Sequence, residues 1–162
     1  MFGRSLKWTL VLLFALSVVL MTGGCLFGGG STTTTLGTPT GIGTTTTPAV
    51  VGDILQPIEG LPVGFSQALT KQPIVVLFYV PGNADDTSVL DTINKLRASF
   101  GTYLFLTYDY KAPDSYGTLT NVFDISYAPY LALIDGKGAL KQVFSGYVDE
   151  GTLNQSLVNL GK

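Results

Sequence analysis

Residues 50–162 are predicted to form an α/β domain, a central mixed β-sheet flanked by helices. Three observations predict it. Residues 74–80 (IVVLFYV) are a nearly continuous apolar, β-branched run, the pattern of a strand buried on both faces and so central in its sheet. Helical and extended segments alternate along most of the domain, which favours crossover connections. Asp135-Gly136-Lys137-Gly138 separates two short apolar runs and carries a hairpin turn signal.

Each element has its own reason. Residues 64–71 (GFSQALTK) suit a short helix, closed by Gln72-Pro73. After the central run, Pro81-Gly82-Asn83 turns the chain. Residues 84–100 have helical spacing, with Val89, Leu90, Ile93, Leu96 and Phe100 on one stripe. Asn83 is a good N-cap, Asp85 and Asp86 suit the positive end of the helix dipole, and Gly101 stops the helix. Residues 102–109 (TYLFLTYD) read as a second strand, and residues 116–123 as a short helix. Residues 130–134 (YLALI) and 139–145 (ALKQVFS) form the antiparallel hairpin. Asp149 caps a last amphipathic helix, on which Leu153, Leu157 and Leu160 share a face. Two crossover units are expected to feed a central parallel pair, with the hairpin closing one edge.

Composition excludes several kinds of chemistry. The chain has 162 residues, 46% hydrophobic and only 12% charged, with a net charge of −2 and no histidine. Imidazole is therefore absent as a metal ligand or general base. The single cysteine, Cys25, excludes an internal disulfide and a Cys-rich zinc site. With no Lys/Arg cluster, nucleic acid is not an expected partner. Seven bases stand against eleven acids in residues 53–162, a net charge of −4, and residues 8–52 carry no charge at all.

That uneven distribution defines three zones. In residues 1–25, Arg4 and Lys7 precede a 14-residue apolar run, Trp8 to Met21 (WTLVLLFALSVVLM). It is short for a bilayer span but suits the apolar core of a secretory signal. Thr22-Gly23-Gly24 and Cys25 follow, and the arrangement resembles a bacterial lipoprotein signal, which implies lipidation at Cys25. Thr22 departs from the pattern, which prefers Leu there. The alternative is an uncleaved anchor extended through Leu26 and Phe27, with Cys25 a lone thiol able to pair two chains. Either reading puts the rest of the chain outside the cytoplasm, tethered to a membrane. Residues 26–49 are of low complexity, and ten of the 17 residues from 31 to 47 are Thr. Too little apolar surface exists there to offset ordering, so a flexible tether of about 25 Å reach is expected, open to O-glycosylation.

Three segments of the domain together resemble the thioredoxin family. VVLFYVPGNADDT (75–87) is similar to that family's central strand running into its active-site helix. ISYAPYLALIDGKG (125–138) is similar to the segment with the cis-proline, here Pro129, and the hairpin after it. VFSGYVDEGTLNQSL (143–157) is similar to the last strand, its glycine, here Gly146, and the C-terminal helix. The resemblance covers roughly residues 60–162 and implies a thioredoxin-like fold with a cis bond at Ala128-Pro129. It also marks a departure. The family's two active-site cysteines fall on Asn83 and Asp86, the aromatic residue before the first falls on Gly82, and its buried aspartate falls on Leu77. Thiol–disulfide exchange needs an attacking thiolate and a resolving thiol, so this chain by itself is not expected to perform it.

The resemblance implies a binding groove made of Gly82, Asn83, Asp86, Ala128, Pro129 and Gly146, where a backbone edge would pair with an extended segment. Simpler roles stand beside it: Asn83 as a cap, Asp86 as a dipole charge, Pro129 as the start of an edge strand. Asp85-Asp86 with Asp109 or Asp114 make a weak cation candidate. Asp91 and Asp124 read as solvated helix-face charges, and Tyr110 and Tyr116 as candidate contact residues near the loop. The expected function is a non-catalytic, membrane-tethered adaptor or chaperone-like module for an extracytoplasmic protein or peptide, with no cofactor or metal. The alternatives are a surface lipoprotein whose Thr-rich stalk is a spacer, and an enzyme of unrelated chemistry on the same scaffold.

Overall fold

The structure, a computed structural model, describes residues 47–162. The expected signal or anchor, Cys25 and residues 26–46 of the expected linker lie outside the described residues. The elements run α1 (Val63–Ala68), β1 (Ile74–Tyr79), α2 (Ala84–Arg97), β2 (Leu104–Asp109), a 3-10 turn (Pro113–Ser115), α3 (Leu119–Val122), β3 (Tyr130–Ile134), β4 (Leu140–Ser145) and α4 (Glu150–Leu160). The sheet order is β2-β1-β3-β4. β1 pairs in parallel with β2, from Ile74 opposite Leu104 to Tyr79 opposite Asp109. On its other side β1 pairs antiparallel with β3, Phe78 facing Tyr130.

The α/β class and the mixed sheet match the expectation, but one connection does not. The second crossover is expected to deliver another parallel strand, and β3 runs antiparallel to β1 instead. The chain between β2 and β3 holds only the 3-10 turn and the four-residue α3, and β3 enters the sheet at the end where β1 finishes, Tyr130 opposite Phe78. The helix expected over residues 116–123 is broken where Gly117 takes φ +54°. A Cβ there would overlap the carbonyl oxygen of Gly60, so the position requires glycine. Asp124 lies past the end of α3 at φ +52°, not on a helix face.

The apolar run of β1 is explained by two cores, one on each face of the sheet. Ile74, Val76 and Phe78 point to the face covered by α1 and α3. Val75 and Leu77 point to the face covered by α2 and α4, with Val89, Ile93, Leu153 and Leu157. β3 divides in the same way, Tyr130, Ala132 and Ile134 against Leu131 and Leu133. β2 is half-buried throughout, as an edge strand should be.

Contacts begin ahead of residue 50. Ala49 N–H donates to the Val122 carbonyl at 2.8 Å, and residues 52–55 then lie along the start of β4. Among the described residues, no helix is long and apolar enough to cross a membrane.

Candidate functional site

At one end of the sheet, β1 and β2 finish, β3 begins and β4 finishes. In a sheet with parallel strands, the carboxyl ends are where connections splay and leave room for a ligand. β1 runs out into a turn in which Gly82 takes φ +85°. Asn83 then caps α2. Its Oδ1 accepts from the backbone N–H of Asp85 (3.0 Å) and of Asp86 (3.4 Å), and its carbonyl accepts from Thr87 Oγ1 (2.7 Å). Gly82 and Asn83 are exposed.

Asp86, expected to serve the helix dipole, stands in the first turn of α2. It is fully buried. Its Oδ1 accepts from Val80 N–H at 2.7 Å, tying the turn after β1 to the first turn of α2. Its Oδ2 is buried without a hydrogen-bond partner. Asp86→Ala is expected to cost about 1–3 kcal/mol, because it leaves the Val80 N–H unmatched. Asp86→Asn keeps an acceptor and should lose less, and urea unfolding of both variants checks the difference. Among the described residues no three acidic side chains gather, so the candidate of Asp85 and Asp86 with Asp109 or Asp114 is not assembled.

On the facing segment, the Ala128-Pro129 peptide bond is cis. Pro129 is buried, and its carbonyl accepts from Gly146 N–H at 2.8 Å, where Gly146 takes φ +95°. Pro129 does not open an edge strand, because β3 lies between β1 and β4. The three residues before the proline differ from their surroundings. The backbone groups of Ser126, Tyr127 and Ala128 take part in no hydrogen bond among the described residues. Ser126 and Tyr127 are exposed and Ala128 half-buried, and none of the three pairs with another strand.

Two tyrosines flank this open edge. Tyr127 is 55% exposed and Tyr147, next to Gly146, is 59% exposed. Neither is among the contact residues expected from sequence, Tyr110 and Tyr116, and those two turn inward. Tyr116 is buried, packs edge-on against Phe78 at 5.2 Å and donates to the Tyr110 carbonyl at 3.0 Å. The half-buried Tyr110 hydroxyl donates to Ile125 O at 3.3 Å. A local signal does mark the exposed pair: Tyr127 stands two residues before Pro129, and Tyr147 one residue after Gly146.

Tyr130 anchors the segment from inside. It donates to the Phe123 carbonyl at 3.1 Å. Burial, then Asp124 and Tyr127, push its phenol up to about 12. An unfolded tyrosine ionises near 10. Folding thus favours the protonated form: the contribution is complete below about pH 10 and is lost as pH rises through about 12. Stability is expected to fall across that window. Tyr130→Phe should fall less steeply there, although it starts lower for want of the hydrogen bond; thermal melts between pH 8 and 12 check it.

With this geometry in view, known structures show what it resembles. MTB DsbF, in its mixed oxidised and reduced forms, matches with a TM-score of 0.50 at 16% identity, over 59% of this chain and 86% of that one. The fold is thioredoxin-like. A thiol:disulfide interchange protein of the thioredoxin family from Chlorobium tepidum TLS also matches, with a TM-score of 0.50 at 14% identity, over 59% of this chain and 83% of that one. So does a chain from a structure on the thiol-resolving mechanism of yeast mitochondrial 1-Cys peroxiredoxin, with a TM-score of 0.50 at 16% identity, over 62% of this chain and 92% of that one. At such identities the likeness is one of fold alone. No protein-family model matches the sequence, and no curated protein matches it either. In this thioredoxin-like fold, the turn after β1, the cis-proline segment and the glycine after β4 come to one end of the sheet, while no cysteine stands among the described residues.

Proposed function

We propose that this chain is a membrane-tethered, extracytoplasmic binding module that holds an extended peptide segment and performs no thiol chemistry. The observation that carries the reading is the unpaired main chain of Ser126, Tyr127 and Ala128 beside Pro129. A peptide laid there would gain main-chain hydrogen bonds of the kind that drive strand addition, and these need no cysteine. Tyr127 and Tyr147 would supply apolar contact area at small cost in side-chain order. Asn83 and Asp86 support the non-catalytic half of the reading, because both hold the fold together. Asn83 caps α2, and Asp86 ties Val80 to it. The apolar run of residues 8–21 and Cys25 support the tether.

Titration of the full chain with extended, cysteine-free peptides tests the reading by NMR. Backbone shifts are expected at Ser126 to Ala128, Gly82, Asn83 and Tyr147, and N-methylation of alternate peptide amides should abolish them. Shifts elsewhere, or indifference to N-methylation, would remove the groove. Insulin-disulfide reduction above a protein-free blank would remove the non-catalytic half.

A further inference from the structure

Eight large apolar side chains are exposed among the described residues. Tyr127 and Tyr147 belong to the site above, and Val158 stands by itself on α4. The other five, Val50, Val51, Ile54, Ile58 and Val63, fall within residues 50–63, with Val63 71% and Val50 64% exposed. Isolated exposed valines are ordinary, but five large apolar side chains left exposed within residues 50–63 are an unusual concentration.

The first part of this stretch is hydrogen-bonded to the sheet. Asp53 N–H donates to the Val50 carbonyl (3.0 Å), and Val50 N–H donates to Asp53 Oδ2 (2.9 Å). The result is a tight turn with Val51 and Gly52 at its tip, Gly52 at φ +107°. Gly52 N–H donates to Leu140 O (2.8 Å), Leu140 N–H to Asp53 O (2.9 Å), and Leu55 N–H to Gly138 O (2.9 Å). An apolar loop tip is thus fastened to the start of β4. Beside it, Ile54, Ile58, Leu61 and Phe65 line a cavity of about 260 Å³.

We infer that this N-terminal strap is a lipid-contacting face that rests the domain on the bilayer carrying its tether. The inference depends on the tethered reading above. Chain connectivity favours a bilayer over other occupants. The 46 residues ahead of Thr47 include the apolar run and Cys25, and the chain enters the fold at Thr47 and Ala49, in the wall of the same cavity. Only 21 residues separate Cys25 from Thr47, so the strap is the part of the domain joined most directly to the tether. At the high effective concentration a short tether creates, a weak apolar contact is enough. No lysine or arginine lies between residues 47 and 70, and residues 53–162 carry a net charge of −4, so the favoured surface is zwitterionic. The arrangement also suits the site. Ile54 bridges to Ala139 just ahead of β4, whereas Gly146, with Tyr147 next to it, follows the opposite end of that strand.

Depth-dependent quenching in the full chain tests this. In a Trp8→Phe background, single probes V51W, Y147W and V158W are reconstituted into phosphatidylcholine vesicles with brominated acyl chains. The V51W emission is expected to shift to the blue and to be quenched at least about two-fold, as for a side chain at the acyl boundary. The Y147W and V158W probes should be unaffected, and added phosphatidylglycerol should reduce the V51W quenching. A protein that floats with the vesicles while V51W is no more quenched than V158W overturns the docking and leaves the tether standing. So does crosslinking of unquenched copies through the strap, which would mark a self-association face. A protein that does not float overturns the tether and the docking together.

Discussion

Replacing Tyr127 and Tyr147 together by Ser is expected to weaken binding of an extended peptide by about 30-fold or more, the loss of roughly 2 kcal/mol typical of aromatic anchors. Both rings are more than half exposed, and neither hydroxyl is hydrogen-bonded within the described residues. The folded state should therefore scarcely change, with Tm within about 2 °C of the parent, as for most surface substitutions. Calorimetric titration alongside thermal melts separates the two effects. Binding that survives the double replacement would leave the main chain of Ser126 to Ala128 as the whole site and relieve the rings of any part.

Phe78→Ala should have the largest effect on stability, a loss of about 3–5 kcal/mol, as for other buried aromatic truncations. Phe78 is completely buried near the end of β1. It packs edge-on to Tyr116 (ring centroids 5.2 Å apart) and tilted on Tyr108 (5.5 Å), and it lies opposite Tyr130 in the sheet. Those neighbours sit on three separate segments, so no single one can move in to fill the space. Since domains of this size are stable by only about 5–15 kcal/mol, such a loss brings the variant close to unfolding. Urea unfolding should show a lower midpoint with the slope unchanged. Phe78→Leu, which keeps most of the volume, should lose less than about half as much.

The elements most legible in the sequence are those whose local signals agree with the tertiary structure. β3 spans Tyr130–Ile134 as expected, and β1 stops one residue short of its expected end. Asn83 and Asp149 cap the helices they are expected to cap, because a side-chain oxygen reaching a free N–H is a property of a few adjacent residues. The helical stripe extends to Phe100 in sequence, but α2 ends at Arg97, and Phe100 packs from the following turn. That difference is the ordinary fraying of helix boundaries.

At the candidate site the legible part is chemical. The absence of a second cysteine, the N-cap at Asn83, and the glycines and Pro129 at their spacings can all be read from residue type and order. The burial of Asp86 cannot, because an aspartate in the first turn of a helix looks the same whether it faces water or the chain entering the helix. Nor can the exchange of roles among the tyrosines. Tyr116 is drawn into the α1–α3 face by Phe78 and Tyr108, while Tyr127 and Tyr147 are left outside it.

Sequence by itself thus determined the strands, the caps, the hairpin and the lack of a second cysteine, because period, turn chemistry and residue inventory are local properties. Tertiary structure decided that β3 runs antiparallel to β1, that Ser126 to Ala128 keep an unpaired backbone, and that five of the eight exposed large apolar side chains of the described residues fall within residues 50–63. All three depend on which distant segments meet. That is set by the two sheet faces burying their apolar residues at once, a condition no short window of sequence contains.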